Sequence, residues 1–151
     1  MMKLLLIIVI AVVYTAFNYQ SAGIKPEQVQ AFSAQAAELL KGDALIKQAF
    51  EAQKSNLQVQ AKGVVVKVLP DDNEGSRHQR FILKMPYGGT VLLAHNIDLA
   101  GRVANVQIGD EMEFSGEYEW NAKGGVVHWT HHDPQGHHQT GWLRHQGKTY
   151  Q

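Results

Sequence analysis

Histidine, tryptophan and aspartate crowd into one stretch, GGVVHWTHHDPQGHHQTGW, Gly124 to Trp142, which holds five of the eight histidines and two of the three tryptophans. Neutral imidazole is a ligand for borderline divalent metals and a proton carrier near neutrality, and tryptophan offers a face for ring stacking. Alternation along an extended chain sends His128, Thr130 and His132 to one side and Val127, Trp129 and His131 to the other. Asp133-Pro134 ends that strand, and Gln135-Gly136 turns the chain so that His137 and His138 return towards His132 and Asp133. His128, His131, His132, Asp133, His137 and His138 are therefore the expected metal ligands. Zinc suits them best, with copper and nickel behind it, because no thiolate competes. The spacing follows no defined metal motif, and the same residues also read as a partly buried strand end followed by a solvated turn.

A second set of residues points to an anionic ligand. His78 opens a strand beside Arg77 and Arg80, and His95 closes the next strand in the phrase His-Asn-Ile-Asp. The start of one strand and the end of its antiparallel neighbour coincide, so His78, Arg80 and His95 can meet at one rim with Asp98 or Asp133 and with His132. Arginine there would grip the anion and histidine would donate or accept a proton. Trp120, Trp129 and Trp142 are the candidates for stacking on a sugar or peptide of an envelope polymer, with core packing the competing role for at least one of them.

Three kinds of element must position these residues. Lys3 precedes Leu4 to Phe17, an uncharged apolar run, so residues 1–22 read as a signal peptide or as an anchor in the inner membrane. Residues 24–55 read as a helical spacer or as a partner-binding amphipathic helix: Val29, Phe32, Ala36, Leu39 and Leu40 recur at helical spacing, Gly42-Asp43 interrupts, and Leu45, Ile46, Ala49 and Phe50 resume. That is one broken helix or two short ones, ending near Ser55-Asn56. From Leu57 to the end the period becomes two. Strands are expected from Leu57 to Leu69 with a bend at Gly63, from Arg77 to Met85, from Thr90 to His95, along the phrase IGDEMEFSGEYEW, and from Val126 to His132. A short helical or irregular piece, Ile97 to Val106, separates the third from the fourth. Phe81, Leu83, Met85, Met112, Phe114 and Tyr118 face a core, while Glu113, Ser115, Glu117 and Glu119 line a solvated face. The predicted fold is mainly β with an N-terminal helix, a small five-stranded OB-like barrel of order β-β-β-α-β-β. Another small barrel or a sandwich would show the same periodicity.

Fourteen basic and fourteen acidic residues balance, so no overall positive field attracts nucleic acid, and the glutamates of the fourth strand would repel phosphate. Eight histidines would make the domain cationic in mild acid. The absence of cysteine excludes disulfides, thiol catalysis and zinc-thiolate sites.

The phrases GVVVKVLPDDNEGSRHQRF, AHNIDLA, GDEMEFSGEYEWN, GGVVHWTHHDPQGHH and GW, in that order, resemble a family of exported bacterial proteins known only as a domain of unknown function. The resemblance runs from about Leu57 to Gly147 and implies export without implying an activity. In strand order alone the chain is also similar to exported OB-fold proteins and to the barrel of thermonuclease-type enzymes, whose carboxylate and arginine signature has no clear counterpart here.

Two functions are consistent with these residues. One is an exported, non-enzymatic binding module whose histidine-rich rim takes a metal, a small anion or an envelope polymer. The other is a metal-assisted hydrolase, a phosphodiesterase or nuclease-like enzyme, in which histidines and Asp133 hold the metal and Arg80 stabilises developing charge. No serine-centred nucleophile motif, no paired-glutamate arrangement and no phosphate-cradling glycine loop is evident.

Overall fold

A computed structural model describes residues 25–151, so the expected signal peptide or anchor at residues 1–22 lies outside the described residues. The chain divides into two compact units, Met1–Ala37 and Glu38–Gln151. Helix α1, Pro26–Glu51, runs without a break. The expected interruption at Gly42-Asp43 is absent, because Gly42 serves packing: a Cβ there would lie 1.8 Å from the backbone oxygen of Gln60. A glycine inside a helix thus lets two backbones approach, at some cost in helix propensity. Ile46 and Ala49 of α1 join the core, and the Trp120 indole donates to the Phe50 carbonyl at 3.1 Å. That hydrogen bond ties Trp120 to the helix and takes it out of contention for ligand stacking.

The protein is mainly β. Seven strands follow the helix: β1 Leu57–Asp72, β2 His78–Lys84, β3 Thr90–Asn96, β4 Glu111–Glu119, β5 Val126–His128, β6 Trp142–His145 and β7 Lys148–Tyr150. Their order in the sheet is β1-β2-β3-β5-β4-β6-β7, and β1 also pairs with β4. The long β1 does both jobs by changing partner where Gly63 sits. Leu57 to Val64 pairs with β4, and Val64 onwards pairs with β2, with register shifts beyond Val65. At Gly63 a Cβ would meet the Lys84 carbonyl oxygen at 2.9 Å and the Leu83 Cβ at 3.0 Å, so only glycine fits that crossover without displacement.

The core is what strict alternation predicts. Phe81, Leu83, Met85, Met112, Phe114 and Tyr118 are buried together with Val59, Val65, Leu93 and Val127. Three expectations give way. β1 continues through Pro70 to Asp72, beyond the anticipated turn; register shifts towards that end let a residue without an N–H remain in the strand. Ile97 to Val106 is turn and irregular chain, not helix, held by the Asn96 side chain accepting the N–H groups of Asp98 and Leu99. Ser115 is buried, because β6 covers that part of β4 with Trp142 opposite it.

Candidate functional site

β5 is only three residues long, and its end creates the site. Trp129 takes a left-handed backbone conformation, φ 52°, which a bulky side chain seldom adopts and which breaks the alternation expected to run to His132. Thr130 and His131 consequently turn inward and are buried, whereas Trp129 is 38% exposed. The loop is closed at its base where Gly141 donates to the His131 carbonyl at 3.0 Å. A Cβ at Gly141 would lie 2.0 Å from the Trp129 carbonyl oxygen and 2.5 Å from that of Ser115.

Four aromatic rings pack at this loop. His138 stacks on Trp129 with centroids 4.5 Å apart, His131 meets His138 edge-on at 4.8 Å, and His128 lies 5.1 Å from Trp129. Asp133 organises the turn that delivers His138. Its Oδ1 accepts the Gln135 N–H at 2.9 Å, and its Oδ2 accepts those of His137 and His138. Burial pushes that carboxyl up, but the three backbone donors outweigh it and hold the group at about 2. Asp133 is thus an acceptor for its own loop. The imidazoles of His137 and His138 stand 3.6 and 3.8 Å from Oδ2, and His132 Nδ1 pairs with the Thr140 hydroxyl at 3.2 Å.

The nitrogens left over define what the site can do. His131 Nδ1 lies 2.9 Å from the His132 carbonyl oxygen, which can only accept, so Nδ1 carries the proton and Nε2 presents a lone pair. That Nε2 is buried and has no partner, and His131 as a whole is 3% exposed. His128 Nε2 is likewise buried without a hydrogen bond, 4.0 Å from a Glu117 carboxylate oxygen. Buried imidazole nitrogens without partners are uncommon because each forfeits a hydrogen bond worth about 1–3 kcal/mol. Beside them lies an open cleft of ≈ 630 Å³, walled by Leu99, Glu117, Trp129, His131 and the 132–138 turn.

Across β4 and β5, Glu117 stands opposite His128 and Glu119 opposite Val126. Glu117, Glu119 and His128 bring one donor atom each within 4.8 Å of one another, a group able to hold a metal ion. Among the described residues it is the one cluster of three or more histidines and carboxylates that does so. His128 is therefore the member of the expected metal set that falls in such a group. His131, His132, Asp133, His137 and His138 line the neighbouring cleft.

In the second expected set His78 lies close enough to His95 and Asp98 to act on both electrostatically, while most of the side chains are engaged with partners of their own. His95 is fully buried, its Nδ1 2.8 Å from the Thr130 hydroxyl and its Nε2 3.2 Å from the Gly101 carbonyl. Burial lowers it to about 4, against the opposing effect of those two hydrogen bonds, so it is neutral near pH 7 and supports the loop from beneath. Arg80 reaches back to the Pro70 carbonyl and lies 3.9 Å from Asp72. Asp98 pairs with Arg77 at 2.7 Å. The Trp142 ring lies under the Arg144 guanidinium at 4.8 Å. His78 is half-buried at the start of β2, opposite Asn96 of β3. Glu117 and Glu119, assigned to a solvated face by their alternation, are the residues that sequence reasoning missed. Folding β5 back on β4 across Asn121 to Gly125 would have set His128 against Glu117.

Residues 29–151, from within α1 through every strand and the whole histidine loop, match the family described as Protein of unknown function (DUF3465). The chain belongs to this family. The description carries no activity, so the family adds membership and leaves the chemistry to the residues. No curated protein matches the chain.

Proposed function

We propose that the protein is an exported, non-enzymatic binding module of the bacterial envelope. Its strands make an OB-like barrel, and its ligand site is the cleft between the β4–β5 face and the Trp129 to His138 loop. The pairings β1–β2, β2–β3, β3–β5, β5–β4 and β4–β1 form a circuit that returns to its first strand, which supports the barrel reading. The apolar run after Lys3 supports export.

One observation carries the ligand reading: a buried imidazole, His131, whose Nε2 lone pair has no partner and which lines a cleft open to solvent. A ligand group that donates a hydrogen bond to that nitrogen satisfies it. The surrounding rings and Leu99 would cover the ligand's apolar part, the usual division of labour in small binding sites. A small anion that also carries a hydroxyl group, or the hydroxyl- and amide-bearing end of an envelope polymer, has that combination.

Trp129 gives the test, since a ligand entering the cleft changes the environment of its indole. Titrating the full chain with inorganic phosphate, citrate and soluble peptidoglycan fragments should give a saturable fluorescence change with at least one probe. Trp129→Phe should lose the change, and His131→Phe should weaken the binding about tenfold or more, the consequence of losing one hydrogen bond to a buried acceptor. A flat response to every probe, or one indifferent to His131→Phe, contradicts the reading.

A further inference from the structure

We infer that Glu117, Glu119 and His128 form a binding site for a single divalent cation, with zinc as its best fit, at the β4–β5 side of the cleft. The inference deepens the cleft reading given above and shares Glu117 with it, while Glu119 and His128 are its own. Two glutamates two positions apart on one face of β4 bring carboxylate oxygens to within 4.8 Å of each other and of a His128 ring nitrogen. Like charges at that distance repel, and no Lys or Arg among the described residues forms an ion pair with either glutamate. All three side chains are half-buried, so water screens them incompletely. A dication between them offsets the repulsion and supplies the partner that His128 Nε2 lacks.

Chemistry selects the cation. One imidazole and two carboxylates suit zinc, with nickel, copper and manganese as competitors that geometry and availability must exclude; calcium and magnesium take oxygen ligands and leave an imidazole unused. In a tetrahedral zinc site donor atoms lie about 3.4 Å apart, given bonds of about 2.1 Å. The three donors therefore need to close by up to about 1.4 Å, which rotation of flexible glutamate side chains provides. Three protein ligands leave a fourth position for water or for an anionic ligand group. Glu117 also lines the cleft, so an acidic ligand would meet the metal there and not a bare carboxylate.

The test is calorimetric titration of the metal-free full chain with zinc, with thermal melts of each protein before and after. Wild type should take up one zinc per chain and melt higher in its presence, since a ligand bound only by the folded state stabilises it. Glu117→Gln and His128→Gln should each weaken zinc binding by more than about 100-fold, beyond the 10–100-fold typical of losing a supporting residue. Metal-free Glu119→Gln should melt no lower than metal-free wild type, because it removes a repulsion; this separates loss of a ligand from loss of the fold. No zinc uptake overturns the site, as does zinc that survives Glu117→Gln and His128→Gln but is lost in a His132→Ala/His137→Ala double variant. Zinc held by the three residues upholds the site even if no anion perturbs Trp129. Metal-independent anion binding without zinc uptake overturns the site and leaves the cleft reading intact.

Discussion

His95 shows how a histidine in this protein can be chemically idle and structurally decisive. Both ring nitrogens are engaged, and burial lowers it to about 4. The unfolded chain binds a proton there near pH 6.5, whereas the folded protein refuses it until about pH 4. The stabilisation is therefore complete above about pH 6.5 and declines as pH falls, by roughly 3 kcal/mol over that window. Urea unfolding at pH 7 and pH 4.5 should show His95→Gln less stable than wild type at the higher pH and losing much less on acidification. Parallel losses would show that the proton is taken up elsewhere. None of this is legible in the phrase His-Asn-Ile-Asp, because the burial of His95 depends on Thr130, thirty-five positions away in sequence. The left-handed Trp129 is invisible for a different reason: no local signal marks a tryptophan for that conformation. By contrast Phe81, Leu83, Met112 and Phe114 declare their burial, since strict alternation is the physical condition for a half-buried strand.

Among the elements, the loop after β5 is defined by what closes it. Gly141 and Gly136 sit at its base and tip and make opposite demands. At Gly141 an added methyl would strike two backbone carbonyls, whereas at Gly136 nothing lies within 4 Å and the only strain is a φ of 71°. Gly141→Ala should therefore cost about 3 kcal/mol by overpacking, and Gly136→Ala about 1 kcal/mol through its backbone alone. Denaturant melts of the two variants check the order, and equal losses would mean that the base of the loop is free to adjust. Asp133→Ala should act locally, raising proteolysis between His132 and Thr140 with little change in the global melt, because the three N–H groups it holds all belong to that turn. The same scale explains where strand reading stops. Strands β2 and β3 fall within a residue of their expected bounds and β4 begins three residues into its phrase, whereas the hairpin of β6 and β7 is absent from the expected strands. Those two have four and three residues, too few for alternation to register, although Gln146-Gly147 at φ 49° and 78° is the left-handed pair that a tight hairpin needs.

For the whole molecule, the site depends on pairing between distant segments. Each glutamate of β4 looks solvated along its own strand, and each histidine of the loop looks like a ligand along its own stretch. Only the register of β4 against β5 places Glu117 against His128, and only the covering by β6 buries Ser115. The candidate site thus contracts to three residues for the metal and to the Trp129, His131 and His138 rings for the cleft. Export is the expectation that belongs to the intact chain. Fractionated cells should hold the protein in the periplasm or the inner membrane, and placing charge in the apolar run, as in Ile7→Arg/Val9→Arg, should retain it in the cytoplasm. Cytoplasmic recovery of the unaltered chain would remove the envelope from the account.

The most direct measurement of the central claim is anomalous diffraction at the zinc edge from crystals of the protein grown with one equivalent of zinc. One strong peak is expected about 2.1 Å from His128 Nε2 and bonded to the carboxylates of Glu117 and Glu119. A peak bound instead by His132, His137 or His138, or no peak at all, would contradict it.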